Sequence, residues 1–290
     1  MLNKIYSWFL SLFKKSNPAP AAVVAQPVIP REVPPPAAGE WVDLALSVSQ
    51  SFEGDDPWAN ITGNFDGAGL TCGALGWTFK WSNQQPLVKK FLSLYGEQEL
   101  KMLMPKTGVK YIAAVNSKES IGMDIVRGWS NGSSKVSEPY RSELRSFWKD
   151  IRMINIQKDE AKKTIGKFAQ TQTDLMSKFL GMEPKPYWYC MFFDQGVQNG
   201  TGKLIDFNDA KKVKFSEILS WCKSGGGDAN KNAELWNKTI LPDKLFLLQM
   251  AYLRARISNP KYQHDVMNRR GTIAMGFGHV HGRLRSLPWS

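Results

Sequence analysis

Two carboxylates define the chemistry open to this chain. Glu53 closes an apolar-periodic stretch, and Asp66 follows thirteen residues later in the Gly-, Thr- and Asn-rich segment from Asn60 to Trp77. A helix end followed by a turn-rich region can fold back and set two carboxylates across a cleft, as hydrolysis of a glycosidic bond requires. One carboxyl must then carry a proton for the leaving oxygen, while the other stays ionised to activate water. Phe52 and Trp58 give Glu53 aromatic company, which favours the protonated form and makes it the candidate acid. Glycines surround Asp66, so backbone N–H groups and water can reach it, and it is the candidate base. Thr71 offers a hydroxyl to hold that water. Asp-Gly and Asn-Phe-Asp-Gly are also ordinary turn sequences. The spacing alone therefore leaves a purely structural role open.

The pattern Asp66-Gly-x-Gly-x-Thr71-x-Gly-x-x-Gly76-aromatic resembles the segment that carries the catalytic aspartate in inverting chitosanases of the lysozyme superfamily. The stretches Asn60 to Gly67, Gly73 to Trp77 and Gln85 to Leu87 are similar to bacterial and phage peptidoglycan hydrolases of chitosanase-like type. A further echo lies in Phe192 to Gly200. The resemblance implies a two-lobed lysozyme-like fold with a small β element at the cleft. It implies Glu53 as acid, Asp66 as base and Thr71 as the residue that positions water. The same reading gives sugar contacts to Asp55, Asn64, Trp77, Trp81 and Asp194. Two departures fall at the cleft. The Glu-to-Asp interval is shorter than in the chitosanases, and Ala68 stands where they carry an arginine. Both weigh against chitosan as substrate more than against the fold or hydrolysis.

Other motifs carry less. Trp77, Phe79 and Trp81 have strand spacing that would put them on one face, as core or as a wall for stacking sugars. Arg254 and Arg256 sit in an apolar run, as buried partners of Asp194 or Asp265 or as cleft residues. His279-Val-His281 has metal-pair spacing but no evident third and fourth ligands, so neither a metal nor a cofactor is expected. Cys72, Cys190 and Cys222 form no C-x-x-C pair and no complete disulfide framework.

The elements that must position these residues are mostly helical. Apolar positions recur at helical spacing in Trp41–Phe52, Pro86–Met104, Tyr140–Leu180, Tyr187–Val197 and Asp243–Ile257. Asn60 to Trp77 reads as turns and short strands, and Met275-Gly-Phe-Gly as loop. The fold class expected is α+β, mainly helical. Residues 1–15 contain an apolar run of about nine residues flanked by lysines, too short for the ~20 of a membrane span and better read as an amphipathic surface segment. Residues 16–39 are rich in Pro and Ala and read as an extended tether. Residues 40–290 are the expected catalytic domain.

Composition bounds the partners. Hydrophobic residues make up 42% of the 290 and charged residues 22%, which excludes wholesale disorder and collagen. The net charge of +12 draws the chain to polyanions and away from polycations such as chitosan. Peptidoglycan, with free carboxylates on its peptides, is the expected partner. Nucleic acid is not, although a wall-binding or nucleic-acid-binding module without catalysis is the competing class. The expected setting is synthesis in the cytoplasm without a cleaved signal peptide, then action at the cell wall after phage lysis or delivery as an antibacterial effector. The N-terminal segment would serve membrane-surface contact or loading, with an immunity or delivery protein as a further partner.

Overall fold

The computed structural model describes residues 38–53, 56–64, 67–130, 134–200, 205–238 and 240–290. The expected amphipathic segment (1–15) and nearly all of the expected tether (16–39) lie outside the described residues, as do Asp55 and Asp66. Helix α1 runs Ala38–Gln50, beginning just inside the span expected to be tether. Its buried face is Trp41, Val42, Ala45, Leu46, Val48 and Ser49, and the buried Phe52 follows its end. That spacing leaves Asp43 and Ser47 on the outer face.

A three-stranded antiparallel sheet follows: β1 (Ile61–Thr62), β2 (Thr71–Cys72) and β3 (Trp77–Thr78). Register pairs Ile61 with Cys72 and Cys72 with Trp77, and these three side chains are buried. The alternate residues, Thr62, Thr71 and Thr78, pair across the other face. Side chains alternate along strands, so the register that buries the first trio leaves the threonines on the open side. Two glycines hold the connections. Gly69 has φ +82°, and a Cβ there would lie 2.7 Å from Met123 Sδ. Gly73 has φ +76°, and a Cβ would lie 2.2 Å from Gln157 Oε1.

Helices then dominate. Pro86 at the start of α2 (Gln85–Leu103) supplies the fixed φ that suits a first turn. Gly96, with φ 85°, breaks α2 internally. Next come α3 (Gly108–Asn116), α4 (Glu119–Arg127) and α5 (Tyr140–Trp148). The buried Glu143 of α5 accepts from Lys106 N at 3.0 Å, Thr107 N at 2.9 Å and Thr107 Oγ1 at 2.6 Å, meeting amides ahead of α3 that no helical turn could satisfy. The charged periodic stretch 140–180 is broken at Lys149-Asp150, where Asp150 caps α6 (Ile151–Ala161) through Arg152 N at 2.9 Å. A π-helical turn, Lys162–Gly166, joins α6 to α7 (Lys167–Leu180). Helix α8 (Pro186–Asn199) carries the aromatic run foreseen as a buried helix and packs on α1, with Trp41 edge-on to Tyr189 at 5.7 Å.

Four more helices lie beyond what periodicity showed, α9 (Phe207–Lys212), α10 (Phe215–Ser224), α11 (Gly227–Trp236) and α13 (Gln263–Met275), while α12 (Pro242–Arg256) is the helix expected at Asp243–Ile257. The segment after Met275, expected as loop, is instead a hairpin of β4 (Phe277–Val280) and β5 (Arg283–Ser286). Asn232 fixes it, donating to His279 O and accepting from His279 N, while Trp236 Nε1 donates to Phe277 O at 2.9 Å. His281 falls in the turn with φ 52°, so it does not share a strand face with His279. The three cysteines are buried free thiols, and burial pushes that of Cys222 up to about 12. The expected mainly helical α+β class is what the described residues form. No helix among them is long and apolar enough to cross a membrane.

Gly73 provides a direct test of the sheet's anchoring. Gln157 is fully buried and its Nε2 donates to Trp148 O at 3.1 Å, so it has little room to retreat. Gly73→Ala combines a left-handed alanine, about 1–2 kcal/mol, with overpacking of about 1–3 kcal/mol. The melting temperature measured by calorimetry should fall by at least about 4 °C.

Candidate active site

Glu53 lies three residues beyond α1, its amide donating to Gln50 O at 2.9 Å. Its side chain is 31% exposed, so the carboxyl is held by the protein yet open to solvent. Arg269 Nη1 on α13 donates to Glu53 Oε1 at 2.6 Å. The same guanidinium meets Asp194 Oδ1 on α8 through Nε at 3.0 Å and Nη2 at 2.7 Å. Ser49 Oγ on α1 adds a bond of 3.2 Å to that oxygen. The Gln198 carboxamide, turned with its oxygen toward Arg269, accepts from Nε at 3.0 Å and Nη1 at 3.1 Å. Below, the Phe52 ring centroid lies 4.9 Å from Arg269 Cζ. Helices α1, α8 and α13 thus converge on one arginine.

The electrostatics follow from burial. Burial acts to push the Arg269 guanidinium down, but the charges of Asp194 and Glu53 outweigh it and hold the group above its ordinary value. Beside it, burial pushes Arg270 down to about 10, with Arg254 and Arg269 adding to the push and Asp194 opposing it. A buried charge persists only when it is paired and hydrogen-bonded. Asp194 supplies that pairing for Arg269, which fixes Glu53 through one carboxylate oxygen. Among the described residues, Glu53 Oε2 has no hydrogen bond.

Asp194 corrects the expectation of a sugar contact. It is fully buried and its Oδ1 is taken by Arg269 and Ser49, so it acts on Glu53 through Arg269 and does not meet a substrate. The arginine expected for it was Arg254 or Arg256. Arg256 instead lies over the Trp221 and Tyr252 rings at 5.9 and 5.7 Å. Arg254 is buried, and burial lowers its pKa. Trp77 is a second correction: at 7% exposure it belongs to the core with Cys72 and Ile61. Phe79 is fully buried beside it, whereas Trp81 is 62% exposed with Lys80 Nζ 5.5 Å from its ring centroid. The three aromatics do not share one face, because β3 ends at Thr78 and the chain turns.

Thr71 sits on the open face of the sheet between Thr62 and Thr78. Asn64 spans the β1–β2 loop: its Oδ1 accepts from Gly69 N at 2.8 Å, and its own N donates to Ser130 Oγ at 3.2 Å. It shapes the loop in which Asp66 lies, and its carbonyl oxygen is engaged there. Asp56 is paired with Arg145 at 3.1 Å. Sequence reasoning missed Arg269, Ser49 and Gln198. The signal for the first was Arg269-Arg270 set in the run from Met267 to Met275, where two cations among small and apolar residues require buried partners.

No protein-family model matches the sequence, and neither does any curated protein. Among solved structures, the chain is similar to the native chitosanase of Bacillus subtilis MY002, with TM-score 0.45 and 15% identity over 81% of this chain and 86% of that one. It is similar to the GH46 chitosanase of Gynuella sunshinyii solved with chitotetraose, with TM-score 0.46 and 12% identity over 87% of this chain and 98% of that one. A chitosanase solved as a complex gives TM-score 0.47 and 18% identity over 84% and 95%.

The clamp makes an energetic prediction. Arg269→Met leaves Asp194 buried without its cation and should cost about 3–5 kcal/mol in urea unfolding. Adding Asp194→Leu removes the stranded charge, so the double variant should be more stable than Arg269→Met alone.

Proposed function

We propose that this chain is a glycoside hydrolase that cleaves β-1,4 bonds in the glycan strands of peptidoglycan. Glu53 donates a proton to the leaving oxygen. Asp66 takes a proton from the attacking water, which Thr71 helps to hold. No cofactor enters this chemistry. The observation that carries the reading is the Glu53 carboxyl: partly exposed at a helix end and anchored through Oε1 to an arginine whose charge Asp194 already matches. The anchored oxygen fixes the direction of the acid, and Oε2 carries the proton. General acid catalysis needs that placement within hydrogen-bond reach of the leaving group.

Charge selects the glycan. A chain of net charge +12 is attracted to a wall bearing peptide carboxylates. The acidic run Glu53, Asp55, Asp56 and Asp66 would be the feature to draw a polycationic chitosan. Within it, Asp56 is engaged by Arg145, which reduces that pull. Chitosan is the second reading, and wall binding without cleavage the third. The setting we infer is lysis or antagonism of bacteria, with the protein reaching the wall after lysis or by a secretion machine.

Digestion of purified peptidoglycan by the wild type should release fragments with reducible N-acetylmuramic ends, identified by mass. Glu53→Gln should lower the rate by at least about 10²-fold. Equal rates would remove the acid assignment; cleavage of chitosan but not peptidoglycan would establish the second reading. Deletion of residues 1–39 should leave the rate on soluble glycan within about 3-fold while abolishing vesicle association, since an amphipathic segment binds through its buried apolar area. Undiminished association would remove that role.

A further inference from the structure

A cavity of about 250 Å³ opens on the outer face of α1, lined by Asp43, Leu46, Ser47, Gln50, Trp58 and Lys158. It is separate from the Arg269 clamp and adjoins the segment that carries the candidate acid, since the Gln50 carbonyl accepts the Glu53 amide at 2.9 Å. Asp43, Ser47 and Gln50 recur at helical spacing, so one helix face forms its floor. Trp58 forms an aromatic wall, and Lys158 reaches in from α6.

Two features suit it to a polar ligand. Gln50 Nε2 is buried and has no hydrogen-bond partner among the described residues. Such a donor calls for an acceptor. Lys158 Nζ meets Asp43 Oδ1 at 3.3 Å, with the two side chains 43% and 69% exposed. An exposed pair of this kind is weak, so either member can turn to a stronger partner. The cavity is also smaller than the roughly 300–1,000 Å³ of a site that encloses a whole ligand, which suits a branch more than a saccharide chain.

We propose that this cavity binds the peptide branch of the glycan, with Lys158 and Gln50 donating to its carboxylate and carbonyl oxygens, Asp43 facing its ammonium group and Trp58 covering its apolar part. The proposal rests on the reading of the chain as a peptidoglycan glycosidase, and it deepens that reading by naming what sets peptidoglycan apart from chitosan at this site. The branch leaves the sugar ring close to the bond being cut, so a pocket beside the helix end that leads to Glu53 is a place for it. Lys162, one turn beyond Lys158 and exposed, extends the positive face outward.

The test compares peptidoglycan strands that keep their peptides with the same strands stripped by an amidase, using the full chain. The wild type should show kcat/KM at least about 10-fold higher on the intact strands, the scale of one hydrogen bond to a charged group. Lys158→Ala and Gln50→Ala should each bring that ratio close to one. Lys223→Ala, which removes an equal charge from an exposed position outside the cavity, should preserve it. Lys158 is exposed, so its variant tests the proposal even if Gln50→Ala folds poorly. Equal cleavage of both strands by the wild type, or a ratio that survives in both pocket variants, would overturn the pocket and leave the glycosidase reading standing. Cleavage of neither strand would overturn that reading and the pocket with it.

Discussion

A guanidinium that folding removes from water needs negative charge and hydrogen-bond acceptors within reach, or it stays outside. Arg269 on α13 satisfies that requirement with residues from α1 and its end and from α8: Ser49, Glu53 and Asp194, with Phe52 against its plane. The constraint acts in both directions. Asp194 is fully buried on an apolar helix and tolerates its charge because Arg269 is there. Glu53 would otherwise be a side chain at a frayed helix end; with one oxygen fixed, it becomes an oriented carboxyl. The packing of α1 against α8 and of α13 beside them is therefore tied to the direction in which the candidate acid points. Buried ion pairs add little net stability against apolar substitutes. Here their value lies in geometry.

The second half of the site depends on a different constraint, the period of two in a strand. Burying Ile61, Cys72 and Trp77 forces Thr62, Thr71 and Thr78 onto the opposite face. The hydroxyl assigned to hold water is thus displayed as a consequence of core packing. Gly69 and Gly73 let the loop and turn approach Met123 and Gln157 more closely than any side chain would allow. Asn64 closes the loop over Gly69 with its own carboxamide. The sheet is small, but it is held by its contacts with α4 and α6 and not by its length.

Charge operates at a longer range. The net +12 belongs to the whole chain, while Asp56, close to Glu53 in sequence, is matched locally by Arg145. A net positive chain is drawn to anionic polymers at a distance, whatever the local pairing.

The sequence by itself determined the helical class, the position of the small sheet, and the residues from Glu53 to Trp77 in which chemistry could lie. These are local properties: apolar period, glycine and asparagine turn signals, and the types of side chain present. Periodicity also marked α8, since a run such as Tyr187 to Phe193 can hardly be anything but buried. It did not show α13, whose hydrophobic and charged residues fall on all sides because the helix is packed all round and Arg269 is paired with carboxylates far away in sequence. Nor could it separate Trp77 from Trp81, since the end of β3 at Thr78 is set by the turn toward α2 and not by the alternation itself. What the tertiary structure alone decided is pairing at a distance. Asp194 is 75 residues from Arg269, and Glu53 is 216 residues from it. No local pattern encodes such a meeting; only the packing of α1, α8 and α13 brings the charges close enough to require one another.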